Sequence, residues 1–424
     1  MLRKFLAILT GRLILKISQT LKIGGGSAAP GYYALKIDPN LVAELTQNIP
    51  QTIVITGTNG KTTTARMLAS FAKNQGFKVI RNSTGSNLER GIVSTLISSS
   101  HIGSGKLKYD LAIWELDEAA FNQVVPKIKP DIIIFLNAFR DQLDRYGEVD
   151  SVIKNWCRTL QKVSPKTIVL LNGDDYNLLK LKEAFKGKVQ TFGLENFKIE
   201  GEKVVHQTKK TKLDYLATNI QPRGLDKITF KIDTYTFNLP LPGIYHVYNF
   251  LAAFATSQSL QISNRTITTS LKNFSPAFGR VEKLDFGYIF LIKNPAGATQ
   301  VFQTLQGQIK KEDRLLLALN DNLADGTDVS WIWDVNFEQL LTINHQPQTI
   351  CSGSRAEDLA LRLKYAGFDP KDLILEKSLK KALQKALKGL SGTLFILPTY
   401  TALLELQKIL ASKGLKKHYW QEES

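Results

Sequence analysis

The sequence has little cysteine and little histidine. It contains two cysteines, Cys157 and Cys351, and five histidines among 424 residues. Two cysteines exclude a disulfide framework and a zinc site built from several thiolates, and the scattered histidines form no cluster with metal-ligand spacing. Such a composition is typical of a protein that works in a reducing, cytoplasmic compartment.

Long hydrophobic runs are also missing. No apolar stretch reaches the ~18 uncharged residues that a membrane-spanning helix needs, which excludes an integral membrane protein. The hydrophobic share of 43% and the mean hydropathy of −0.12 are ordinary for a globular protein. At about 150 residues per domain, a chain of this length predicts two or three domains.

Acidic residues are outnumbered by basic ones. The chain has 55 Lys and Arg against 38 Asp and Glu, which leaves a formal net charge of +17. An excess of this size suggests an anionic partner, such as a nucleic acid, a nucleotide or a phospholipid surface. A solubilising coat of lysines is the alternative interpretation of the same composition.

The first 22 residues imitate a signal peptide, but Arg12 and Lys16 interrupt the apolar segment and no small-residue cleavage site follows. Apolar residues recur at helical spacing instead, namely Leu6, Leu9, Leu13, Ile17 and Leu21. This pattern predicts a helix. The helix either packs on its own protein or, as a basic helix, rests on a membrane surface.

From residue 50 onwards short apolar runs alternate with amphipathic stretches, which predicts a parallel sheet flanked by helices. The runs of the first half are residues 53–55, 111–114, 132–136 and 168–171. Polar residues follow these runs: Thr56, Glu115, Asn137, and Asn172 with Asp174 and Asp175. Since ligands bind beyond the carboxyl ends of parallel strands, these side chains mark a candidate site, although Asn and Asp also end strands for structural reasons.

The second half predicts a further α/β series. Its apolar runs are residues 289–292, 315–319, 349–350, 373–375 and 394–397, and residues 195–240 between the two series predict a small β insertion. We therefore divide the chain into three parts. These are a basic helix with a glycine-rich lead-in (1–42), a central ATP-binding domain (43–280) and a C-terminal Rossmann-like α/β domain (281–424).

The strongest chemical signal is a phosphate-binding loop. A predicted strand ends at Thr56, the loop residues Gly57, Thr58, Asn59 and Gly60 follow, and Lys61, Thr62 and Thr63 open a helix. Glycines let backbone N–H groups converge on phosphate oxygens, while the helix N-terminus and the lysine supply positive charge. The Thr62 hydroxyl is placed to bind Mg²⁺. The pattern is a shortened form of the general P-loop, and it predicts nucleotide binding.

A Mg²⁺–ATP site also needs a carboxylate, because Mg²⁺ prefers oxygen ligands. Glu115, at the end of the run DLAIWE, is the first candidate, with Asp117 or Glu118 as alternatives. A solvated strand end is the structural alternative for the same residue.

Together these motifs resemble the Mur ligase superfamily. The resemblance rests on GTNGKTTT, Glu115, NAFRDQLDRYGE (137–148), NGDD (172–175), GIYHVYNFLAA (243–253) and GR (279–280), in that order. It implies a central parallel-sheet P-loop ATPase domain, the use of ATP to turn a carboxylate into an acyl phosphate, and attack by an amine. It further implies that Asn249 contacts the adenine and that Arg280 helps to hold the nucleotide.

The C-terminal half is similar to one family within this superfamily, the MurT ligase subunits of lipid II isoglutaminyl synthase. The similar segments are NPAGATQVF (294–302), LALNDNLADGTDVSWIWD (317–334), SGSRAEDLALRLKYAG (352–367) and LPTYTALLEL (397–406). The resemblance implies a cytoplasmic protein at the inner face of the plasma membrane that amidates the D-glutamate α-carboxylate of lipid II. Ammonia would come from a glutaminase partner, GatD, in a heterodimer, to which the ligase subunit lends an aspartate. Asp328 is the first choice for that residue and Asp325 the second.

The sequence departs from the family in three places. The usual member carries a four-cysteine zinc ribbon in the region that matches 195–240, where this chain has no cysteine, so no zinc is expected. Gln142 stands where Mur ligases generally have a metal-binding histidine, and His246 stands where asparagine is common. Both cysteines are read as buried small hydrophobes.

Two other functions are compatible with parts of the sequence. A self-sufficient amide ligase, similar to folylpolyglutamate synthase, would add an amino acid and need no partner. A P-loop nucleic-acid-binding protein would use the positive charge, but the lysines are dispersed and no recognition helix or aromatic platform stands out. We therefore expect no nucleic-acid partner.

Overall fold

The structure is a computed structural model, and it describes residues 2–20, 28–82, 86–101, 105–140, 149–196, 212–275, 281–341 and 346–414. The helices are α1 (Leu2–Thr20), α2 (Ala29–Ile37), α3 (Leu41–Thr46), α4 (Lys61–Gln75), α5 (Glu89–Ser99), α6 (Glu118–Ile128), α7 (Val149–Leu160), α8 (Tyr176–Ala184), α9 (Tyr245–Ser259), α10 (Asn264–Lys272), α11 (Pro295–Leu305), α12 (Ala356–Tyr365), α13 (Leu379–Leu387) and α14 (Tyr400–Ser412). The strands are β1 (Gln51–Thr56), β2 (Val79–Arg81), β3 (Leu111–Glu115), β4 (Ile132–Phe135), β5 (Ile168–Asn172), β6 (Lys188–Leu194), β7 (Tyr215–Arg223), β8 (Lys227–Ile232), β9 (Tyr235–Leu239), β10 (Glu282–Leu284), β11 (Gly287–Ile289), β12 (Arg314–Ala318), β13 (Gln348–Ser352), β14 (Leu373–Leu375) and β15 (Leu394–Pro398).

The first nine strands form one sheet in the order β2-β3-β1-β4-β5-β6-β7-β8-β9. Neighbours from β2 to β7 are parallel, whereas β7, β8 and β9 pair antiparallel. The sheet is therefore mixed rather than wholly parallel. Strands β7 to β9, which lie within the segment predicted as a β insertion, form one end of the sheet. They pair antiparallel because the turns that join them are short.

The central sheet lies between two helical layers because successive strand residues point to opposite faces. On β1, Ile53 and Ile55 pack with α4 and α9 on one face, while Val54 packs on the other face with α5 and α6. Both faces are covered by apolar side chains, as buried parallel strands require. Because β1 pairs parallel with both β3 and β4, the carboxyl ends of the three strands lie at one edge of the sheet, with Ile55 opposite Glu115 and Thr56 opposite Phe135.

The second sheet has the order β10-β11-β15-β12-β13-β14 and is parallel except for β10. Four of the five predicted runs coincide with strands β12 to β15. The fifth run, 289–292, begins only at the last residue of β11, which ends at Ile289. Its continuation still follows the sheet, since the backbone N–H groups of Phe290 and Ile292 donate to the carbonyls of Ile396 and Pro398 in β15 at 2.9 and 3.0 Å.

The N-terminal helix α1 packs on α2 and α5. Ala7, Ile8 and Gly11 are its buried residues, whereas Leu6, Leu9, Leu13 and Ile17 are exposed. The helix itself was predicted, but the leucine row does not face the protein. Among the described residues, no helix is long and apolar enough to cross a membrane.

Candidate functional site

The phosphate loop connects β1 to α4 and depends on two glycines. Gly57 has φ +131° and Gly60 has φ +92°, which are values that side chains disfavour. A Cβ at Gly57 would lie 2.8 Å from the backbone oxygen of Asn137, and one at Gly60 would lie 2.1 Å from Asn249 Oδ1. Both positions therefore require glycine for space as well as for backbone conformation.

Asn137, which follows β4, holds the loop in shape. Its backbone oxygen accepts from the Thr58 N–H at 3.1 Å, and its Oδ1 accepts from the Asn59 N–H at 2.8 Å. The Asn137 side-chain amide donates to the Asn59 carbonyl at 3.0 Å. Thr58 is bonded in addition to the backbone of Phe139. The polar residue after β4 thus acts on the shape of the loop.

The first turn of α4 carries the predicted phosphate-binding side chains. Lys61 Nζ donates to the carbonyl of Gly57 and, at 3.4 Å, to that of Thr58. The ammonium therefore lies over the loop, where phosphate oxygens would exchange for these carbonyls. Thr63 is buried in the same turn.

Thr62 meets the carboxylate that was predicted to help it. Its hydroxyl donates to Glu115 Oε2 at 2.7 Å, and Glu115 is 2% exposed. Asn82 fixes the backbone of Glu115 with two hydrogen bonds of 2.9 Å, and Arg81 lies 3.9 Å from Glu115 Oε1. Asp117, an alternative candidate, instead caps α6 through the Ala120 N–H at 2.7 Å.

This pair of oxygen groups fits a magnesium ion. A hydroxyl and a buried carboxylate beside a phosphate loop supply the hard donors that Mg²⁺ takes, and Mg²⁺ completes its shell with water and nucleotide oxygens. No group of three or more His, Cys, Asp or Glu could hold a metal within the ranges that the structure describes. The metal would therefore depend on bound nucleotide for its other ligands.

Asn249 lies on α9 directly behind the loop. It is 5% exposed, and its side-chain nitrogen is 3.3 Å from His246 Nδ1. Its backbone oxygen accepts from the Thr64 hydroxyl at 3.4 Å. This placement puts Asn249 against Gly60 at the nucleotide loop. Arg280, the other predicted nucleotide contact, lies outside the described residues, as does Gln142.

The polar residues after β5 have structural tasks. Asp175 caps α8 through the Asn177 N–H at 2.9 Å and accepts from the Ala138 N–H at 2.8 Å. Asp174 accepts from the Tyr248 hydroxyl at 2.8 Å, and burial raises the pKa of its carboxyl. The bond from Ala138 to Asp175 supports the segment that follows β4, and through it the phosphate loop.

The C-terminal domain reaches the loop through a contact that sequence reasoning missed. Asn59 and Asn294 exchange two side-chain hydrogen bonds of 3.1 Å each, and Asn294 also caps α11 through the Gly297 N–H at 2.8 Å. A second contact lies close by in the chain, because Arg140, which follows Asn137 in the same segment, forms an ion pair of 2.9 Å with Asp334. An N-cap residue followed by proline indicates that a helix begins after Asn294, but nothing in the sequence indicates that Asn294 contacts Asn59.

The two candidate aspartates of the 317–334 segment differ in exposure. Asp325 is buried and accepts from the Thr401 N–H at 2.8 Å and from its hydroxyl; burial raises the pKa of its carboxyl. Asp328 is exposed and accepts from the Ser330 N–H at 2.8 Å, and hydrogen bonds from Ser330 lower the pKa of its carboxyl. Asp328 is thus the accessible carboxylate of the two and the one with the lower pKa.

The cysteines are remote from this site. Cys351 is buried, and desolvation raises the pKa of its thiol to about 12. Cys157 is only partly buried, so the prediction that both are buried holds for Cys351 alone.

Comparison with known proteins identifies the family. Two family models match the chain: Mur ligase middle domain over residues 55–257 and MurT ligase C-terminal over residues 291–403. The MurT subunit of lipid II isoglutaminyl synthase (glutamine-hydrolyzing) from Streptococcus pneumoniae (strain ATCC BAA-255 / R6) is 31% identical over 93% of this chain and 94% of its own length. The chain belongs to the MurT family.

A second MurT relative, from Staphylococcus aureus (strain COL), is 29% identical over 95% of this chain and 96% of its own length. The crystal structure of MurF from Acinetobacter baumannii has a TM-score of 0.67 at 19% identity, covering 89% of this chain and 79% of that one. At this identity the likeness concerns the fold, which is the α/β fold of Mur ligases with a C-terminal domain. The predicted fold class and the MurT resemblance are confirmed.

Proposed function

We propose that this MurT-family chain is the ATP-dependent ligase subunit that amidates the α-carboxylate of D-glutamate in the stem peptide of lipid II, giving D-isoglutamine. The proposal rests mainly on the match to a MurT relative over 93% of this chain. It is supported by the contacts at the phosphate loop, where Thr62 bonds to Glu115 and Asn59 bonds to Asn294. The C-terminal match distinguishes this reaction from those of Mur ligases that add amino acids.

ATP would bind with its phosphates over residues 57–63. The backbone N–H groups at the start of α4 and the Lys61 ammonium would neutralise phosphate charge, with Asn249 and Arg280 nearer the base. Thr62 and Glu115 would hold Mg²⁺, which when bound stabilises the negative charge of the transferring phosphoryl group. The residues named here as nucleotide and metal ligands are part of the proposal.

The reaction would proceed in two steps. A carboxylate oxygen of D-glutamate attacks the γ-phosphorus of ATP, and the bond to ADP breaks to leave an acyl phosphate. Ammonia then attacks the carbonyl carbon, loses a proton, and inorganic phosphate leaves. The carboxylate becomes reactive because phosphate is a better leaving group than oxide, and Lys61 would stabilise the charge that develops on the phosphoryl oxygens.

Ammonia would come from hydrolysis of glutamine by a GatD-type partner in a heterodimer. We propose that Asp328 completes the partner's Cys–His pair, because an ionised, exposed carboxylate can orient an imidazole and stabilise its protonated form. Its exposure and lowered pKa support this assignment over Asp325, which is bonded to Thr401 within the chain. The division into residues 1–42, 43–280 and 281–424 is proposed with it, the last part facing the partner.

The test is reconstitution. The purified chain and its glutaminase partner, given lipid II, ATP, Mg²⁺ and glutamine, should convert lipid II to the amidated form, seen by mass spectrometry as replacement of one hydroxyl by an amino group. Omission of ATP or of the partner should stop the conversion from glutamine. A product that gains an amino-acid residue would contradict the proposal and favour a self-sufficient amide ligase.

A further inference from the structure

Helix α1 is fixed to the body of the protein by one face. Ala7, Ile8 and Gly11 are buried there, and a Cβ on Gly11 would lie 2.6 Å from Ile97 Cδ1 on α5. The Arg12 guanidinium donates to the Ile97 carbonyl at 3.1 Å and to the carbonyl of Ser100. The close approach and these bonds determine which side of α1 faces outwards.

The outward face of α1 is apolar. Its large exposed side chains, which we call the apolar row, are Leu2, Phe5, Leu6, Leu9, Leu13 and Ile17. At 3.6 residues per turn the row covers an arc of ~120° opposite the buried face. Leu13 is 59% exposed and Leu2 is 72% exposed. Isolated exposed leucines are ordinary, whereas a continuous row of this length marks an interaction surface.

The neighbouring helix α2 carries two exposed aromatic side chains. Tyr32 and Tyr33 of α2, the helix that packs on α1, are both exposed, and Lys36 Nζ lies 4.7 Å from the centre of the Tyr32 ring. Tyrosine is favoured where one end of a side chain meets apolar material and the other meets water. Such residues, with a lysine beside them, are typical of the boundary between lipid and water.

The charge of this region has one sign. Residues 1–37 contain no Asp or Glu, and their basic residues are Arg3, Lys4, Arg12, Lys16, Lys22 and Lys36. Arg3, Lys16 and Lys36 are exposed. Lys4, by contrast, is directed to Glu44, with 3.9 Å between the charged atoms. A surface that joins an apolar row to unopposed positive charge is complementary to an anionic lipid bilayer, in which acyl chains lie beneath negative headgroups.

We infer that α1 and the two tyrosines of α2 form a docking surface for an anionic membrane, with the apolar row inserted at the headgroup boundary. The inference deepens the proposed function, because a substrate anchored in lipid would be met by an enzyme held on the same surface. It concerns binding to lipid itself, and its test therefore does not depend on the amidation reaction.

The experiment measures sedimentation of the full chain with vesicles. Vesicles of equal parts phosphatidylglycerol and phosphatidylcholine should bind the chain. Vesicles of phosphatidylcholine alone should bind it at least about tenfold more weakly. The double variant Leu9→Glu, Leu13→Glu should lose at least about tenfold in binding, since it removes two inserted side chains and adds negative charge. Leu361→Glu, an exposed leucine on α12, is the matched control and should bind as the parent does.

A charge variant separates the two contributions. Lys16→Glu should weaken binding to anionic vesicles several-fold at low salt and have little effect at high salt. Lys231→Glu, which changes an exposed lysine on β8, should have no effect. Both α1 variants should unfold at the parent temperature, because the changed side chains are exposed. Retention of the double variant equal to the parent would overturn the inference. So would a parent chain that ignores anionic vesicles and forms a dimer that Leu9→Glu disrupts.

Activity then distinguishes this inference from the proposed function. With the partner present, the double variant should amidate lipid II in detergent micelles at the parent rate and lipid II in anionic vesicles at a clearly reduced rate. Vesicle binding without amidation in either medium would contradict the proposed function while supporting the membrane surface. Amidation that is equal in vesicles for parent and variant would contradict the membrane surface alone.

Discussion

Substitution of Glu115 by glutamine tests the proposed metal site with little change in shape. The carboxylate is 2% exposed, accepts from the Thr62 hydroxyl at 2.7 Å, and belongs to a backbone segment fixed by Asn82. Glutamine retains one oxygen that can accept the Thr62 hydroxyl. The variant should therefore keep its fold but lose about 1–3 kcal/mol in the free energy of unfolding, because Arg81, 3.9 Å from Glu115 Oε1, no longer has a charged partner.

The expected loss lies in Mg²⁺–ATP use. A carboxylate and a doubly charged ion ~4 Å apart interact by ~8 kcal/mol at an effective dielectric constant of ~20, and the glutamine oxygen and the remaining water ligands recover more than half of this. We expect a net loss of about 3 kcal/mol, which corresponds to roughly a hundredfold in kcat/KM for Mg²⁺–ATP. Raising the Mg²⁺ concentration should restore part of the activity.

The assay is ADP release coupled to amidation, measured over a range of Mg²⁺ concentrations at fixed ATP. The matched control is Asp313→Asn, which alters a buried carboxylate in the C-terminal domain that accepts from the Thr393 and Lys310 N–H groups at 2.7 Å each. That variant should lose about 1–3 kcal/mol of stability and keep the parent's Mg²⁺ dependence. Parent-like Mg²⁺ dependence in Glu115→Gln would refute the assignment of Glu115 as a metal ligand.

Four further results are expected. Lys61→Ala should abolish ATP-dependent amidation and leave partner binding, measured by size-exclusion chromatography, unchanged, because only the phosphate loop loses charge. Asp328→Asn should reduce glutamine-dependent amidation by at least about a hundredfold while ammonium still supports it, whereas Asp325→Asn should act first on stability, since two hydrogen bonds from Thr401 end there. Asn294→Ala should raise KM for ATP by about tenfold without altering thermal unfolding by more than a few degrees, because it removes a contact to the phosphate loop and one helix cap. Folding raises the pKa of Cys351 from 9.0 to about 12, so the contribution of this thiol to the free energy of unfolding should be constant below pH 9 and fall between pH 9 and 12, since the unfolded thiol ionises first. A Cys351→Val variant should lose less stability over this interval in urea titrations.

Each of these expectations has a contradicting outcome. Loss of partner binding by Lys61→Ala would indicate that Lys61 contributes to assembly with the partner and contradict its assignment to nucleotide binding alone. Equal loss with glutamine and with ammonium would remove Asp328 from the partner's triad. An unchanged KM in Asn294→Ala would make its bonds to Asn59 structural, and an identical pH profile for Cys351→Val would assign the alkaline transition to other groups.

The sequence predicted the parts of the fold that depend on local pattern. Apolar runs located β1, β3, β4 and β5, since each is a buried strand bounded by polar residues. The pairing of Thr62 with Glu115 was also foreseeable, because the carboxyl ends of parallel strands meet at one edge. Local pattern and a simple topological rule were enough for these features.

Features that depend on distant contacts could not be predicted in this way. The row of leucines in α1 indicated a helix but not its orientation, which is decided by the close approach of Gly11 to α5. The bond between Asn59 and Asn294 joins residues 235 positions apart, and no pattern in either segment indicates the other. The antiparallel edge formed by β7 to β9 was predicted only as a small β insertion within the central domain, because strand composition does not reveal which sheet a strand joins.

The nitrogen source that the chain uses distinguishes an amidating subunit from a self-sufficient amide ligase. The chain alone would be incubated with lipid II and Mg²⁺–ATP, with ammonium, glutamine or amino acids added in turn, and the product weighed by mass spectrometry. We predict an amidated product with ammonium, and none with glutamine until a glutaminase subunit is added. A product that has gained an amino-acid residue, formed without any partner, would contradict the assignment of this chain as the amidating ligase subunit.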